Sequence, residues 1–567
     1  MSIDRSTITA SSVFWWADQS AGWIYLLPPL ASMHVLCIDP TVELSWLLNH
    51  SCGAVTIACT SSQAATEAGQ GQADLPLERV RWAPLEDLLQ HSSRNRHDAP
   101  RFDGLVIHDP QARVVHTHSL PLIDQALSMI PALLSRDAFV YLGLRRRYSL
   151  FRPHADPRAP LGSKPLLSHG GLTRRLRDGG LTKMRRYPFL VDGSRIVEIL
   201  LGGYRATTNG ESRRERLKEY LLGGRGAQVF APGYGHVARA SATPSSVLEE
   251  VTRVVAGAIR VAPARLHAVH FRLARGDKAI IAFEDLARQA ESAIAVVSED
   301  PRVTRGRRIE AGILEHLARL PARVSRLVPR HLGEYTVGRY ACFIMTMLPG
   351  VTLDADSGSL ETLQRQAMDF LQALHLETST AVALDEAGFA QHVDALLTDA
   401  LQRNPEQSSE LRILRGALKE SIGGRTLPTV FTHGDFKIEN VMYTRTDLRM
   451  TGVIDWEHAA ERALPLIDPL YLLFYNRTLR GLPWMDALAA IVARPALDAD
   501  ERRCIDQYLQ TLGVGAAMFT PLAGIFLIHH IGRRVTLTLD SDAHERLRRI
   551  IDDLATRIRE ETRTVGA

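Results

Sequence analysis

Three polar residues in one stretch of the sequence have the types and order that phosphoryl transfer requires. Asp435 is followed by Asn440, and Asp455 comes directly after an apolar run, 450–454. Phosphoryl transfer asks the protein mainly to position reactants and to neutralise phosphate charge with metal ions. Carboxylate and amide oxygens suit Mg²⁺, which completes its octahedral shell with water and phosphate oxygens. We therefore predict that Asn440 and Asp455 hold Mg²⁺ and that Asp435 accepts the proton of an attacking hydroxyl.

The residues around Asp435 also have the spacing of a protein-kinase catalytic loop. His433, Gly434 and Asp435 stand where kinases carry His-Arg-Asp, so His433 is counted with the catalytic residues. The order His-Gly-Asp, then Asn, then Ile-Asp-Trp-Glu resembles the aminoglycoside phosphotransferase and choline kinase family. The resemblance is strong over residues 430–470 and weaker over residues 260–560.

That resemblance implies an α+β bilobal, protein-kinase-like fold that binds ATP or GTP with Mg²⁺. It implies that Asp468 supports the catalytic loop and that Glu310 lies on the helix that follows the third small-lobe strand. The run that ends at Met347 and Leu348 resembles the hinge whose backbone meets the nucleotide base. An alternative interpretation of His433, Asp435 and Asn440 is a turn, because Asp, Asn and Gly all favour turns. The ordered set that includes Asp455 and Asp468 favours the site.

One part of the kinase pattern is missing. In the family the third small-lobe strand carries a lysine that grips the phosphates and pairs with the helix glutamate. Here that strand reads Ala-Ile-Ala-Val-Val-Ser over 293–298, so Val297 or Ser298 takes the lysine's place and cannot carry charge. Lys278, or an arginine among Arg302, Arg305, Arg307 and Arg308, is a candidate substitute. The turn at 275–277 lacks the repeated glycines of a phosphate-covering loop.

The first 200 residues alternate short apolar runs with helical patterns, which indicates a doubly wound, Rossmann-like α/β domain. The pattern predicts strands at 35–38, 55–59, 104–107 and 138–142, helices at 42–49 and 172–177, and a closing hairpin at 192–193. This layout resembles a class I S-adenosylmethionine-dependent methyltransferase. The first strand is followed by Asp39-Pro40 rather than by a glycine turn, so the resemblance implies a degenerate domain in which S-adenosylmethionine binding is doubtful. Asp39 and Asp109 could contact a ligand at strand ends, or could cap helices and shape turns.

The sequence predicts four segments: a methyltransferase-like domain at 1–205, a glycine-rich linker at 206–235, a small kinase-like lobe at 236–348 and a mainly helical lobe at 349–567. The small lobe is predicted to contain strands at 266–273, 278–283, 293–297 and 339–347, and a helix at 305–320.

Composition excludes several classes of protein. A net charge of +4 gives no basic field for nucleic acid. Five cysteines without CxxC spacing predict neither a disulfide framework nor a zinc site and favour a cytoplasmic protein. The apolar stretches at 23–31 and 519–531 are too short to span a membrane.

The leading hypothesis is a phosphotransferase that acts on a hydroxyl of a small polar acceptor such as a sugar, a saccharide end or an aminoglycoside-like molecule. One alternative is a pseudokinase or scaffold that keeps two eroded nucleotide-binding folds, because the lysine and the glycine turn are both missing. Another is a bifunctional methyltransferase and kinase. The sequence indicates neither the acceptor nor the oligomeric state.

Overall fold

The computed structural model describes residues 22–40, 42–59, 79–94, 101–109, 125–145, 169–192, 195–199, 233–274, 278–288, 290–352, 360–444, 446–533 and 541–566. By its internal contacts the chain divides into two compact units. The first unit comprises Met1–Ala206, Glu211–Arg305 and His331–Met347, and the second comprises Thr207–Gly210, Gly306–Arg330 and Leu348–Ala567. Each unit is described by itself below.

The first unit contains thirteen described strands: β1 (His34–Ile38), β2 (Ala54–Cys59), β3 (Val80–Pro84), β4 (Phe102–Asp109), β5 (Leu134–Arg145), β6 (Lys183–Asp192), β7 (Arg195–Ile199), β8 (Gly233–Arg239), β9 (Leu266–Ala274), β10 (Lys278–Asp285), β11 (Ala290–Ser298), β12 (His331–Val337) and β13 (Tyr340–Thr346). Its helices are α1 (Val42–Ser51), α2 (Leu85–Arg94), α3 (Ile130–Leu133), α4 (His169–Asp178) and α5 (Val247–Ala258), and α6 (Pro301–Leu317) begins in it.

These strands form one continuous mixed sheet in the order β12-β13-β11-β10-β9-β7-β6-β8-β5-β4-β1-β2-β3. Strands β3, β2, β1, β4 and β5 pair in parallel, which is the strand order of a doubly wound half. Strand β8 is antiparallel to both β5 and β6. The pair Ile199 and Phe271 joins β7 to β9, and β9 to β13 continue as an antiparallel sheet.

Both faces of β1 are buried, and successive side chains along a strand point to opposite faces. Val35 and Cys37 of β1 pack into one core cluster, whereas Leu36 and Ile38 pack into another. Buried runs of this kind are typical of parallel sheets covered by helices on both sides.

Each strand that the sequence predicts in this unit overlaps an observed strand, but the pattern missed β3, β8 and β12. The helix predicted at 305–320 is α6, which begins four residues earlier, at Pro301, and ends at Leu317. In the predicted hairpin, β6 and β7 pair antiparallel, and residues 193–194 between them lie outside the described residues. The turn at 275–277 and residues 206–232 of the predicted linker also lie outside them.

The second unit is mainly helical. Its helices are the remainder of α6, α7 (Ala322–Ser325), α8 (Leu360–Thr378), α9 (Glu386–Phe389), α10 (Ala395–Arg403), α11 (Ser408–Ile422), α12 (Ile467–Leu479), α13 (Trp484–Ile491), α14 (Ala499–Thr511), α15 (Phe519–Arg533) and α16 (Ser541–Gly566). Its strands are β14 (Val351–Thr352), β15 (Thr380–Ala383), β16 (Thr426–Thr432), β17 (Val441–Tyr443), β18 (Met450–Val453) and β19 (Ala460–Ala463).

One large apolar core, formed mainly by these helices, supports the short strands. Among the helices that the structure describes, none is long and apolar enough to cross a membrane alone. The pair Ala499–Thr511 and Ala516–Arg533 meets the length and composition test only jointly, and it bends by 109° at the break.

Candidate active site

The predicted catalytic loop begins where a buried strand ends. The last four residues of β16 are buried, and the side chain of His433, which follows them, is fully buried. The Asp468 carboxylate accepts hydrogen bonds from two successive backbone N–H groups, those of His433 (2.7 Å) and Gly434 (2.8 Å). The His433 ring donates from Nε2 to the Ile454 carbonyl (2.9 Å), which leaves Nδ1 to accept from the Asp435 N–H (3.4 Å). The loop is therefore held at its backbone by Asp468 and through the His433 ring.

Asp468 is fully buried in the first turn of α12, where the helix dipole favours a negative charge. His375 Nε2 lies 3.5 Å from the Asp468 carboxylate, and His375 Nδ1 lies 2.7 Å from the Tyr508 hydroxyl. Burial works to raise the pKa of Asp468. The neighbouring His375, the His433 ring and the His433 backbone N–H outweigh burial and hold the pKa of Asp468 below its usual range. Asp468 is therefore an ionised anchor.

The Asp435 side chain remains partly exposed, as a group that meets a substrate must be. Lys437 Nζ lies 3.3 Å from Asp435 Oδ2, and the Tyr475 hydroxyl donates to Oδ1 at 3.4 Å. The same lysine lies 5.3 Å from the centre of the Tyr475 ring. Two donors thus orient the carboxylate of the predicted base.

A short hairpin brings together the two predicted magnesium ligands. Strands β17 and β18 pair antiparallel with Val441 opposite Val453, and the Ile454 N–H donates to the Asn440 carbonyl (3.0 Å). Asn440 immediately precedes β17, and Asp455 comes two residues after the end of β18, so they lie at the same end of the hairpin. Asp455 has a φ of 70°, in the left-handed region that few non-glycine residues adopt.

The donor set at this end fits magnesium. Asn440 Nδ2 donates to the Asp435 carbonyl (3.0 Å), which leaves the amide oxygen for a cation. That oxygen and the Asp455 carboxylate are hard oxygen ligands of the type that Mg²⁺ prefers. Within the described residues no group of three or more His, Cys, Asp and Glu side chains is arranged to hold a metal. A Mg²⁺ ion bound by these two residues would have positions in its octahedral shell for phosphate and water oxygens.

Glu310 is buried in α6 and has an ion-pair partner on its own helix. The Arg307 guanidinium donates to Glu310 and, at 2.7 Å, to Glu457 Oε2. Glu310 also accepts the Trp456 backbone N–H (3.2 Å), directly after Asp455. Burial raises the pKa of Glu310; Arg307 opposes this effect, and Asp455 and Glu457 reinforce it. Glu310 therefore positions the segment that carries Asp455.

Arg533 holds the outer side of the catalytic loop. Its Nη1 donates to the Gly434 carbonyl (2.9 Å) and lies 3.5 Å from the His458 carbonyl. Burial and the charge of Arg533 lower the pKa of His458, while Glu457, Asp435 and Asp455 oppose that shift. His458 therefore lies within electrostatic reach of both Asp435 and Asp455.

The remaining residues predicted for nucleotide binding fall in different places. In the first unit, Lys278 begins β10 opposite Ser298, and the Met347 N–H donates to the Ser292 carbonyl (3.4 Å). Ser298, where the family's lysine is expected, is buried and accepts the Asp300 N–H through its hydroxyl (3.1 Å). In the second unit, Leu348 is buried and would meet a Cβ added at Gly452.

Asp39 and Asp109 lie at the same edge of the sheet. Asp39 directly follows β1 with a φ of 43°, and its N–H donates to the Ala58 carbonyl (3.0 Å). Asp109 is the last residue of β4, the parallel neighbour of β1. Carboxyl ends of adjacent parallel strands form the usual binding edge of doubly wound sheets.

Sequence reasoning missed four residues that contact the loop or its anchors: Lys437, His375, Arg533 and Arg307 as the Glu310 partner. A signal existed for Lys437, two residues after Asp435, and for Arg307, one helical turn before Glu310. His375 and Arg533 are distant in sequence and carried no local signal.

Comparison with known proteins assigns a family to part of the chain. Residues 282–504 match the model of the phosphotransferase enzyme family, APH. This segment includes Glu310, Asp435, Asn440, Asp455 and Asp468. Residues 282–504 are therefore similar to a domain of the phosphotransferase enzyme family. No curated protein matches the chain.

Several solved structures align with the chain at low identity. ADP-bound aminoglycoside phosphotransferase APH(2'')-Ib is 14% identical over 54% of this chain and 98% of its own, with a TM-score of 0.31. APH(3'')-Id from Streptomyces rimosus ATCC10970, in complex with ADP and streptomycin, is 16% identical over 49% of this chain and 90% of its own, with a TM-score of 0.28. WbdD with the kinase inhibitor LY294002 is 12% identical over 86% and 85%, with a TM-score of 0.22. These likenesses are distant, so the domain assignment rests on the family model.

Proposed function

We propose that the chain transfers the γ-phosphate of ATP or GTP to a hydroxyl of a small polar acceptor, such as a sugar, a saccharide end or an aminoglycoside-like molecule. One observation carries the proposal. Asn440 donates its amide N–H to the Asp435 carbonyl, so the predicted base and the predicted metal ligand are fixed to one another. The match of residues 282–504 to the phosphotransferase family supports the same chemistry.

Asp435 is the proposed general base. Its carboxylate is partly exposed, so an acceptor hydroxyl can approach it. The hydroxyl would give its proton to a carboxylate oxygen while its own oxygen forms a bond to the γ-phosphorus, and the bond from that phosphorus to the nucleoside diphosphate breaks. Lys437 and Tyr475 both reach this carboxylate and would keep it turned towards the acceptor. Lys437 also places a positive charge where negative charge develops during transfer.

Asn440 and Asp455 are the proposed magnesium ligands. When bound, Mg²⁺ would neutralise charge on the transferred phosphoryl group. The chain's part is to present two oxygen ligands at the end of the β17–β18 hairpin. Glu310 supports this arrangement because it binds the N–H of Trp456, the residue next to Asp455.

Arg307 explains how the site can remain organised without the family's strand lysine. In this chain the buried carboxylate of Glu310 is neutralised from its own helix, so its charge does not depend on Val297 or Ser298. We propose that Arg307 replaces the lysine's structural role. Its guanidinium also binds Glu457 and so ties α6 to the Asp455 segment.

The second candidate function is a pseudokinase that organises other proteins. The observation that favours it is the burial of Val297 and Ser298, neither of which can supply a cation to nucleotide phosphates. It predicts no turnover with any acceptor.

For the N-terminal part we propose a degenerate methyltransferase-like domain. The parallel order β3-β2-β1-β4-β5 and the common edge of Asp39 and Asp109 support it. Calorimetry with S-adenosylmethionine tests whether the domain retains cofactor binding. Binding at micromolar concentration would favour a bifunctional enzyme.

The first experiment measures nucleotide binding by calorimetry with and without Mg²⁺. The variants are Asp455→Ala and a matched control, Asp500→Ala, at an exposed aspartate of α14. We expect magnesium-dependent binding in the wild type and the control and a loss of that dependence in Asp455→Ala. Phosphate transfer to a panel of sugars and aminoglycosides would then be lost in Asp435→Asn. Unchanged binding in Asp455→Ala would refute the magnesium assignment, and binding without transfer to any acceptor would favour the pseudokinase.

A further inference from the structure

A cleft of about 650 Å³ lies in the first unit, where β6 and β8 meet the beginning of α5. Its volume is in the range of small-molecule sites, roughly 300–1,000 Å³. Most of the residues that line it have polar or charged side chains: Thr182, Lys183, Arg185, Tyr187, Arg239, Thr243, Ser245, Glu249 and Arg253. A polar cleft of this size is suited to a charged small molecule.

The charges around the cleft do not balance. Four cations line it, Lys183, Arg185, Arg239 and Arg253, against one carboxylate, Glu249. Burial works to raise the pKa of Glu249, but the Ser246 N–H and Arg239 outweigh burial and keep it low, so the carboxylate is ionised. The net charge of the lining side chains is therefore +3.

The four cations differ in how firmly they are held by other groups. The buried Arg239 is committed to Glu249 (2.7 Å) and to the Pro244 carbonyl (3.0 Å). Arg185 lies 3.6 Å from Glu249 and is largely exposed. Lys183 and Arg253 contact only neutral oxygens in their described bonds, the Ser241 carbonyl (2.9 Å) and the Ser245 hydroxyl (3.2 Å). These last two cations can therefore turn to an anion without breaking an ion pair.

The cleft also contains hydroxyl groups that can donate to an anion. Burial raises the pKa of Tyr187, so its hydroxyl keeps its proton. Ser245 accepts from Arg253, which leaves its own proton free for a ligand oxygen. Hydroxyl and guanidinium donors together are typical of sites that bind phosphate oxygens.

We propose that this cleft binds a phosphorylated small molecule, whose phosphate is held by Lys183 and Arg253 with Arg185 beside them. A phosphate monoester carries about −1.5 to −2 charges at pH 7, which offsets the surplus better than a single carboxylate. The space beyond the phosphate accommodates the body of the molecule. The site does not depend on the proposed phosphoryl transfer, because all its residues lie in the first unit.

Titration calorimetry on the full chain tests the proposal. The probes are inorganic pyrophosphate and glucose 1-phosphate, with glucose as the uncharged match, in EDTA without nucleotide. The test variant is Lys183→Gln/Arg253→Gln, which changes two exposed side chains that have no carboxylate partner among the described bonds. The control is Arg174→Gln/Arg177→Gln, which removes the same charge from exposed positions of α4.

We expect a phosphorylated probe to bind the wild type and the control equally and the test variant at least about tenfold more weakly, since each charge-assisted hydrogen bond is worth that much. Glucose should not bind. Thermal unfolding of the test variant should match the wild type. Equal weakening in both double variants would indicate a general charge effect and overturn the proposal. The proposal would also be overturned if neither pyrophosphate nor glucose 1-phosphate bound at about 10 mM, a concentration at which even millimolar affinity would be detected.

Discussion

Arg307 and Glu310 lie one helical turn apart on α6, and the Arg307 guanidinium donates to the buried Glu310 carboxylate. The same guanidinium binds Glu457, while Glu310 binds the N–H of Trp456. One buried guanidinium thus bridges two carboxylates, Glu310 on α6 and Glu457 two residues after Asp455. Removing one partner of a buried pair is costly because the other charge remains without compensation.

Arg307→Met should destabilise the protein by about 3–5 kcal/mol, since Glu310 would stay buried without its cation. Arg307→Lys should destabilise the protein less than Arg307→Met, because an ammonium can still neutralise Glu310. Some stability should still be lost, since an ammonium cannot present parallel donors to both Glu310 and Glu457. Denaturant unfolding measures both effects.

The double variant Arg307→Met/Glu310→Leu is the control for this pair. If the cost arises from the unpaired carboxylate, the double variant should be more stable than Arg307→Met alone. A double variant whose losses simply add would contradict the ion-pair explanation.

Asp468→Asn should destabilise the protein by about 2–4 kcal/mol at pH 7, because the ionised carboxylate accepts two backbone N–H groups and faces His375. The pKa of Asp468 is held below its usual range, so its stabilising effect is present above the unfolded-state pKa near 4. That effect is lost as the pH falls through the lower folded-state pKa.

The difference in unfolding free energy between wild type and Asp468→Asn should therefore stay near its pH 7 value down to about pH 5 and shrink below about pH 4, as the pH falls towards the folded-state pKa. Tyr508→Phe serves as the comparison, because it removes the hydroxyl beyond His375 and leaves the carboxylate in place. A difference that stays constant with pH would show that the charge of Asp468 does not stabilise the loop.

The sequence singled out the candidate residues of the second unit better than the contacts that hold them. Asp435, Asn440 and Asp455 stood out because metal-assisted transfer, if it occurs here, restricts residue type and order within a short segment. The positive φ of Asp455, the Arg307 pairing and the Arg533 contact depend on tertiary packing, which local patterns do not encode. In the first unit, apolar runs predicted four of the five parallel strands and missed β3, whose side chains are not fully buried. Strand β8, which contains two glycines, and the β7–β9 pairing had no such signal.

Lys437→Met should lower kcat by about 10- to 100-fold with a smaller change in nucleotide affinity, because Lys437 contacts the proposed base. Lys419→Met is the matched control. Lys419 is on α11, and its ammonium lies over the Phe389 ring rather than beside Asp435. Steady-state assays of phosphate transfer make the comparison. If both lysine variants kept wild-type kcat, Lys437 would have no part in transfer.

Asp455 variants separate strain from metal binding. Asp455 has a φ of 70°, so Asp455→Ala should be about 1 kcal/mol less stable than Asp455→Gly, which tolerates the left-handed region without strain. Both variants lack the carboxylate and should lose magnesium-dependent nucleotide binding alike. Thermal unfolding and calorimetry on the same samples give the two readouts. If the more stable variant, Asp455→Gly, kept magnesium-dependent nucleotide binding while Asp455→Ala lost it, the ligand role of Asp455 would be contradicted.

Gly434 and Gly424 offer a matched pair for the catalytic loop. Their φ angles are 78° and 76°, so alanine should cost each position about 1–2 kcal/mol from backbone strain alone. A Cβ at Gly434 would also lie 2.3 Å from the His458 carbonyl oxygen and 2.9 Å from Arg533 Nη1, whereas a Cβ at Gly424 would meet nothing within 4 Å.

Gly434→Ala should therefore destabilise the protein more than Gly424→Ala by roughly 1–3 kcal/mol, as overpacking does in a well-packed site. It should also lower phosphate transfer, because Gly434 sits between His433 and Asp435. Gly424→Ala should leave transfer unchanged, since Gly424 lies outside the loop, after α11. Equal losses of stability in the two variants would mean that the loop can move away from His458. The close packing at Gly434 would then not determine the position of Asp435.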